Sequence, residues 1–388
     1  MANMTRQIAI VGIGETQLGR VPDKTSWELY CEAAEMALED AGLTREEIDG
    51  LLTCGSLVEP HSHHHIGFGE HLGIPVVRFS DTLHTGGAAA AAGLQIAGAA
   101  IMAGLCEAVL VAAADNLLSG LTREEGVAVM TLSHNPEFTI PYGPLIASLY
   151  ACQARRHMEE YGTTIEQLAT VAVATRKHAM LNPQAQQRTP ITVEDVLGSR
   201  MISSPLHMLD CAQVSDGGAA FLVTTAERAK DLRQKPIYLL GAGQAHSSYD
   251  LTIIPDLTTS DAAIASEAAF RMAGVDHQDI DFIQTYDCFT HAPIILLEDM
   301  GFCKKGEGGT FVSGGRIEPC GTLPMNTHGG LLSCCHAGVT GGIFHLVEAV
   351  RQLRGQAGER QVRDARIGLV HGSGDLLTNH ATVVLSGA

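Results

Sequence analysis

The chain is poor in positive charge: 25 Lys and Arg stand against 43 Asp and Glu, a formal net charge of −18 over 388 residues. Such a balance repels phosphate backbones and anionic lipid, so neither nucleic-acid binding nor membrane-surface binding is expected as its main work. An anionic substrate must find a local positive site. Aromatic residues are scarce at 5%, with a single Trp, while hydrophobic residues reach 45%. That profile excludes disorder and collagen-like repeats, and the length allows a large core without staples. No CxxC pair occurs among the ten Cys, so they read as reduced thiols in the cytoplasm. The opening MANMTRQIAIVGIG has no small-residue cleavage site behind it and reads as a first strand. Thr82–Cys106 is free of charge but made of Ala and Gly with very little Leu, Ile or Phe; it predicts a helix buried in protein, not membrane insertion.

What the sequence does have is an internal repeat. Ala33–Cys54 (AAEMALEDAGLTREEIDGLLTC) recurs as Ala265–Tyr286 (ASEAAFRMAGVDHQDIDFIQTY) at a constant offset of 232, with Glu35/Glu267, Gly42/Gly274 and Asp49/Asp281 in register. Each copy is preceded by an apolar strand ending in GxG, at Gly12/Gly14 and Gly241/Gly243, and followed by a Gly-rich loop, a helix and another strand. Two fused β-α-β-α-β halves are expected, with a sheet covered on both faces. The N-terminal half runs over 1–116 and carries a loop-domain insertion at 117–235; the C-terminal half runs over 236–388. Thr25 with Glu28 and Thr164 with Gln167 are capping-box pairs that each open a helix, and Gly42 is placed to end the first.

Several motifs carry a functional reading and a plainer one. GIGETQLG is not a dinucleotide fingerprint, because its third glycine is misplaced and the other half repeats GxG without it; a tight strand exit explains the glycines. His61–His71 (HSHHHIGFGEH) holds five His, yet no carboxylate set completes a metal site, so a polar loop at a subunit contact is expected and no metal. Three loops matter more: Leu83–Gly87 (LHTGG), Tyr286–His291 (YDCFTH) and Asn326–Gly342 (NTHGGLLSCCHAGVTGG). Glycines beside polar groups let backbone N–H groups approach a developing oxyanion, or else simply permit tight helix packing.

These stretches, with YGTTIEQLA from Tyr161 and SPLHMLDCAQVSDGGAA over Ser204–Ala220, resemble the thiolase superfamily, specifically the sterol-carrier-protein-type thiolases and their lipid-transfer-protein-like relatives. The resemblance spans essentially the whole chain. It implies an α/β thiolase fold: two pseudo-symmetric β-α-β-α-β-α-β-β halves in a five-layered α/β/α/β/α body with an inserted loop domain. It further implies a homodimer, a CoA-thioester substrate and no separate cofactor. A working thiolase carries its nucleophile in a C-x-[ST]-G frame, which here reads Leu83-His84-Thr85-Gly86, and a second Cys in C-x-G, here Val370-His371-Gly372. Both cysteines are missing, so acyl-enzyme chemistry by the usual route is not expected.

The family's HDCF motif reads Tyr286-Asp287-Cys288-Phe289, and its GHP motif reads Cys335-His336-Ala337. YDCF is what the steroid side-chain aldolases of the superfamily carry, and these work with a small OB-fold and zinc-ribbon partner in a heterotetramer. The resemblance therefore implies retro-aldol cleavage of a β-hydroxyacyl-CoA, from a steroid or another bulky side chain, to acetyl-CoA or propionyl-CoA and a carbonyl compound. Tyr286 is expected as acid/base at the β-hydroxyl and His336 as donor to the thioester oxygen or proton source for the enolate. A free Tyr titrates near ~10, so Tyr286 needs a neighbour to act as a base, for which His84, His328 and Asp287 are candidates. Leu83, Gly86, Cys288, Cys335 and Gly372 line the substrate and oxyanion loops. Two alternatives compete: an acyltransferase with a relocated nucleophile, with Cys335 beside His336 as its candidate, and a non-catalytic lipid- or CoA-binding subunit. Arg155, Arg156, Lys177 and Arg188 are candidates for the CoA phosphates, as surface charge also explains.

Overall fold

Thr25 accepts a hydrogen bond from the backbone of Glu28 and donates its own N–H back to the Glu28 carboxylate, and Gly42 ends the same helix at a left-handed φ of 74°. The two signals read from the sequence therefore bound α1 (Ser26–Ala41) in the computed structural model, which describes residues 4–132 and 134–387. The other helices used below are α2 (His64–Leu72), α3 (Ala89–Met102), α4 (Ile146–Tyr161), α5 (Ile165–Met180), α6 (Ala262–Ala273), α7 (His291–Asp299) and α8 (Gly341–Arg354). Thr164 and Gln167 open α5 with the expected box. Strands of the main sheet are β1 (Ile8–Glu15), β2 (Gly50–Thr53), β3 (Phe79–Thr82), β4 (Ala108–Asn116), β5 (Asp216–Thr225), β6 (Ile237–His246), β7 (Phe282–Thr285), β8 (Ile367–Gly374) and β9 (Asn379–Ser386).

The sheet runs β3-β2-β4-β5-β1-β6-β9-β8-β7. Its N-terminal half pairs β3, β2 and β4 in parallel, then β4 with β5 and β5 with β1 antiparallel. The C-terminal half repeats this in mirror order: β7 with β8 parallel, β8 with β9 and β9 with β6 antiparallel. A parallel bridge from Ile283 to Met325 stands where β3 stands in the first half. Among the described residues, the ladder pairs Ala9↔Tyr238 and Ile10↔Ile237, with a hydrogen bond from Arg6 N–H to the Leu239 carbonyl, join the halves edge to edge. The two half-sheets are instead held by α3 and α8, which touch each other and pack on strands of both halves, while α1 covers one outer face and α6 the other. This is the expected five-layered α/β/α/β/α body. The strand β5 lies inside the 117–235 stretch and belongs to the sheet, so α4, α5 and their loops fill only the part before it.

The GxG pairs have a different cause from a strand exit. A Cβ on Gly14 would sit 2.1 Å from the Ala33 carbonyl oxygen and one on Gly243 2.2 Å from that of Ala265; Gly12 and Gly241 meet Ala37 and Ala269 in the same way. Each pair lets an outer helix press its backbone onto a central strand. The Ala-rich segment forms α3, with Ala89–Leu94 wholly buried, so a helix between two sheets replaces the lipid that its hydropathy would otherwise suggest. The His-rich stretch is a helix, α2, and not a polar loop. His64 is buried and stacks on Trp27 with ring centroids 4.4 Å apart, and His71 stacks on the same indole at 4.7 Å. Among the described residues, no cluster of three His, Cys, Asp or Glu is placed to hold a metal ion, and no helix is long and apolar enough to cross a membrane. All ten cysteines are free thiols.

Candidate active site

Tyr286 is the first residue after β7, and three sequence motifs fix that exit. Asn326, at a positive φ of 54°, presents its side chain to the backbone of Thr285, accepting from its N–H at 2.8 Å and donating to its carbonyl at 2.9 Å. The amide acts as a one-residue strand. Asp210, from SPLHMLDC, accepts from the Thr290 hydroxyl at 2.8 Å and the Thr290 N–H at 3.0 Å, while Ala212 N–H donates to the Cys288 carbonyl at 2.8 Å. Tyr286 N–H donates to the His371 carbonyl at 3.1 Å. The YDCF loop is thus tied on both sides by buried hydrogen bonds from Asn326, Asp210 and Ala212, which limits how far Tyr286 can drift.

The two best candidates from the sequence meet. The Tyr286 hydroxyl lies 3.0 Å from His336 Nε2, although 50 residues separate them. His336 is half-buried and held by Ser215, whose hydroxyl accepts from its N–H at 3.1 Å and whose own N–H donates to its carbonyl at 3.1 Å. The Tyr286 ring lies across Gly87, where a Cβ would fall 2.0 Å from Cε2 and 2.4 Å from the Ser373 carbonyl oxygen. Gly342 and Gly372 crowd the Gly87 carbonyl, at 2.0 and 2.5 Å from their would-be Cβ atoms. The LHTGG loop, the start of α8 and the end of β8 therefore converge on Tyr286 with no room for side chains.

Burial sets the protonation of the pair. Desolvation first, then the nearby Cys288 and the carboxylates of Asp287 and Asp375, push the Tyr286 phenol well above 10. Desolvation also holds the His336 imidazole down to about 4, against the pull of Asp287. Both groups are neutral at pH 7. The sequence led to a Tyr lowered by a neighbour; the structure gives a phenol kept protonated, suited to donate. In the tautomer with its proton on Nε2, His336 donates to the phenol oxygen, which leaves the phenol proton for a substrate atom and stabilises the phenolate left behind.

The other expected residues divide. Asp287 is fully buried and accepts from Leu331 N–H at 2.8 Å, closing the Gly330–Cys334 turn, with His345 Nε2 3.5 Å away. It positions the loop and is not hydrogen-bonded to the Tyr286 hydroxyl. His328 is buried, its ring edge-on to His345 at 5.0 Å, and desolvation holds it well below 6.5, so it stays neutral behind the site. His84 is exposed, and among the described residues nothing bonds it to Tyr286 or His336. None of the three hydrogen-bonds to the Tyr286 hydroxyl; His336 does, and the phenol beside it stays protonated. Gly86 lies against Gly374, 2.9 Å from its Cα by its would-be Cβ. Cys288 is buried with its thiol pushed up to about 12, and the Cys335 thiol is raised further by burial and points at the Asp216 carbonyl, 3.9 Å away. Neither is a thiolate at neutral pH.

Sequence reasoning missed two residues here. His345, on α8, is fully buried, with its ring 6.5 Å from that of Tyr286. Asp375 follows β8 beside Gly86. The internal repeat pairs Asp375 with Asn116 at the end of β4, the one signal that marked its position.

Residues 243–387 match the family described as thiolase C-terminal domain-like. The chain is 35% identical over 377 residues to an acetyl-CoA acetyltransferase of Methanothermobacter thermautotrophicus, covering 95% of this chain and 96% of the relative. This chain belongs to the thiolase superfamily. Within the superfamily it is 36% identical to the 17-hydroxy-3-oxo-4-pregnene-20-carboxyl-CoA lyase of Mycobacterium tuberculosis, over 91% of this chain and 92% of the relative. Among solved structures, the Ltp2-ChsH2(DUF35) aldolase superposes with a TM-score of 0.87 at 33% identity, covering 99% of this chain and 98% of that one. In this thiolase-fold chain the nucleophile position, Leu83, packs its side chain into the core toward Gly93, and the second cysteine position, Val370, is buried in β8. The thiolase body is intact, and its two sulfur positions are filled with hydrocarbon.

Proposed function

We propose that this thiolase-fold chain is a carbon–carbon lyase that cleaves a β-hydroxyacyl-CoA, with a steroid or other bulky group on the β-carbon, by a retro-aldol reaction. The hydrogen bond between Tyr286 and His336, in a body with Leu83 and Val370 at the nucleophile positions, carries this reading. The β-hydroxyl loses its proton, the O–H pair becomes the carbonyl π bond, and the Cα–Cβ pair passes into the thioester enolate. The Tyr286–His336 pair then protonates Cα and releases acetyl-CoA or propionyl-CoA beside a ketone or aldehyde. Every atom of the products comes from the substrate, so the CoA thioester needs no added cofactor. The turn that opens α3 sets Gly87 against the Tyr286 ring, and Gly342 at the start of α8 packs on the Gly87 carbonyl; helix starts favour the negative charge of an enolate. Likeness to the Ltp2-ChsH2(DUF35) aldolase supports assembly with a DUF35 partner; the family resemblance implies that this partner is a small OB-fold and zinc-ribbon protein and that a second copy of this chain completes a heterotetramer.

Free CoA separates this chemistry from thiolysis. The protein with its co-purifying partner should release a short acyl-CoA from a branched β-hydroxyacyl-CoA when no CoA is added, as read by mass spectrometry. Cleavage only of a β-ketoacyl-CoA, and only with CoA supplied, would refute the lyase reading in favour of acyl transfer.

The pH profile follows from the two displaced groups. His336 is held down at about 4, so the neutral form is lost only as pH falls through that value; Tyr286 stays protonated until well above 10. Log kcat/KM is therefore expected to be flat from about pH 6 to about pH 9. A limb centred between those limits that persists when every other acid or base is removed would mean that one of the pair titrates near its ordinary value.

A further inference from the structure

A neutral pair that donates a proton leaves open which group receives the one from the β-hydroxyl. Burial disfavours a positive imidazolium at His336, so the pair is a poor acceptor. A second group beside Tyr286 has the opposite character. Asp375 sits just past β8 at a positive φ of 51°, and its backbone N lies 3.4 Å from where a Cβ on Gly86 would be. Gly87, the next residue, carries the Tyr286 ring. Adjacent glycines thus receive the Asp375 backbone and the Tyr286 ring, and the Asp375 carboxylate is near enough to raise the Tyr286 phenol electrostatically. Three contacts fix the turn: the Tyr150 hydroxyl donates to the Asp375 carbonyl, Gly374 packs on the Thr85 carbonyl, and Asn379 Nδ2 donates to Asp375 Oδ2 at 2.6 Å. The carboxylate is exposed, and its Oδ1 has no hydrogen-bond partner among the described residues.

We propose that Asp375 is the catalytic base that takes the β-hydroxyl proton on Oδ1, while Tyr286 and His336 serve as the acid at Cα. This rests on the retro-aldol reading and deepens it. The substrate O–H bond breaks to Asp375, the Cα–Cβ pair becomes the enolate, and the Tyr286 proton goes to Cα. Exposed to water, Asp375 then loses its proton to solvent, from which the Tyr286 phenolate is reprotonated, so the count closes. The groups facing Asp375 are His134 from the loop before α4, Tyr150 from α4, Tyr286 after β7 and Asn379 from β9. Although the residue reaches solvent on one side, partial desolvation by the protein around it raises the carboxyl above its usual range, against the Asn379 hydrogen bond and His134, which brings it nearer to what a general base at neutral pH needs.

Two reactions of the partnered protein separate the roles: cleavage of the β-hydroxyacyl-CoA, and exchange of the α-protons of propionyl-CoA in D2O, which needs only the Cα acid–base. Asp375→Asn keeps an oxygen for Asn379. It should cleave about 100-fold more slowly or worse, yet exchange α-deuterium within about twofold of the parent. Asp375→Glu should recover part of the cleavage. Full cleavage in Asp375→Asn, or equal loss of both reactions, overturns the assignment while leaving the lyase reading in place. A parent protein that neither cleaves nor exchanges overturns the lyase reading itself.

Discussion

Tyr286→Phe is expected to lower kcat for C–C cleavage by about 10²–10⁴-fold while the KM for the thioester stays within a few-fold of the parent. The split follows from the geometry. The ring fills the space over Gly87 and is buried, and phenylalanine keeps that packing. Only the oxygen that meets His336 Nε2 at 3.0 Å is lost, and it acts on charge that exists in the transition state and not in the bound substrate. The same substitution should abolish α-proton exchange of propionyl-CoA. A variant that retains kcat with an unchanged product pattern would place the proton transfer elsewhere.

Gly87→Ala, which alters no chemical group, is expected to damage the same step by a comparable factor. The added methyl falls 2.0 Å from Tyr286 Cε2 and 2.4 Å from the Ser373 carbonyl. Backbone conformation is no obstacle, because Gly87 is not among the glycines at positive φ. The ring must therefore move, and it is the one neighbour tied by side-chain contacts rather than by a strand. Overpacking of this kind costs about 1–3 kcal/mol of stability. The decisive measurement is the double variant with Tyr286→Phe. If the methyl acts by displacing the phenol, the two kcat losses will fall far short of adding. Additive losses would mean that Gly87 serves the helix start alone.

Much of the architecture was legible in the sequence because the repeat is one of backbone packing. Gly12/Gly14 and Gly241/Gly243 recur since equivalent outer helices, α1 and α6, press on equivalent strands, β1 and β6, and Thr25–Glu28 and Gly42 announce the ends of α1 directly. Tyr286 and His336 were legible only through the motifs around them, since nothing in their separation shows that they touch. The direction of their titration was not legible at all. It depends on burial by α3, α8 and the YDCF loop, which is a property of the assembled layers. Asp375 escaped notice because no motif surrounds it: its role depends on β8 delivering it beside Gly86, some 290 positions earlier in the chain. The stretch at His61–His71 misled in the other direction, for its polar letters hide a helix that buries His64 and stacks both His64 and the exposed His71 on an aromatic face.

That aromatic face belongs to Trp27, the only tryptophan in 388 residues. Tryptophan emission from the whole protein, excited selectively over its seven tyrosines, therefore originates in one indole clasped between the rings of His64 and His71, on the outer side of the N-terminal half. An emission trace during unfolding reports the parting of α1 from α2 and is blind to the C-terminal half, where the Tyr286 loop lies. Because α3 and α8 grip both half-sheets, that local optical signal and the global circular-dichroism signal should fall together, making a single native chromophore a test of whether the two halves melt as one.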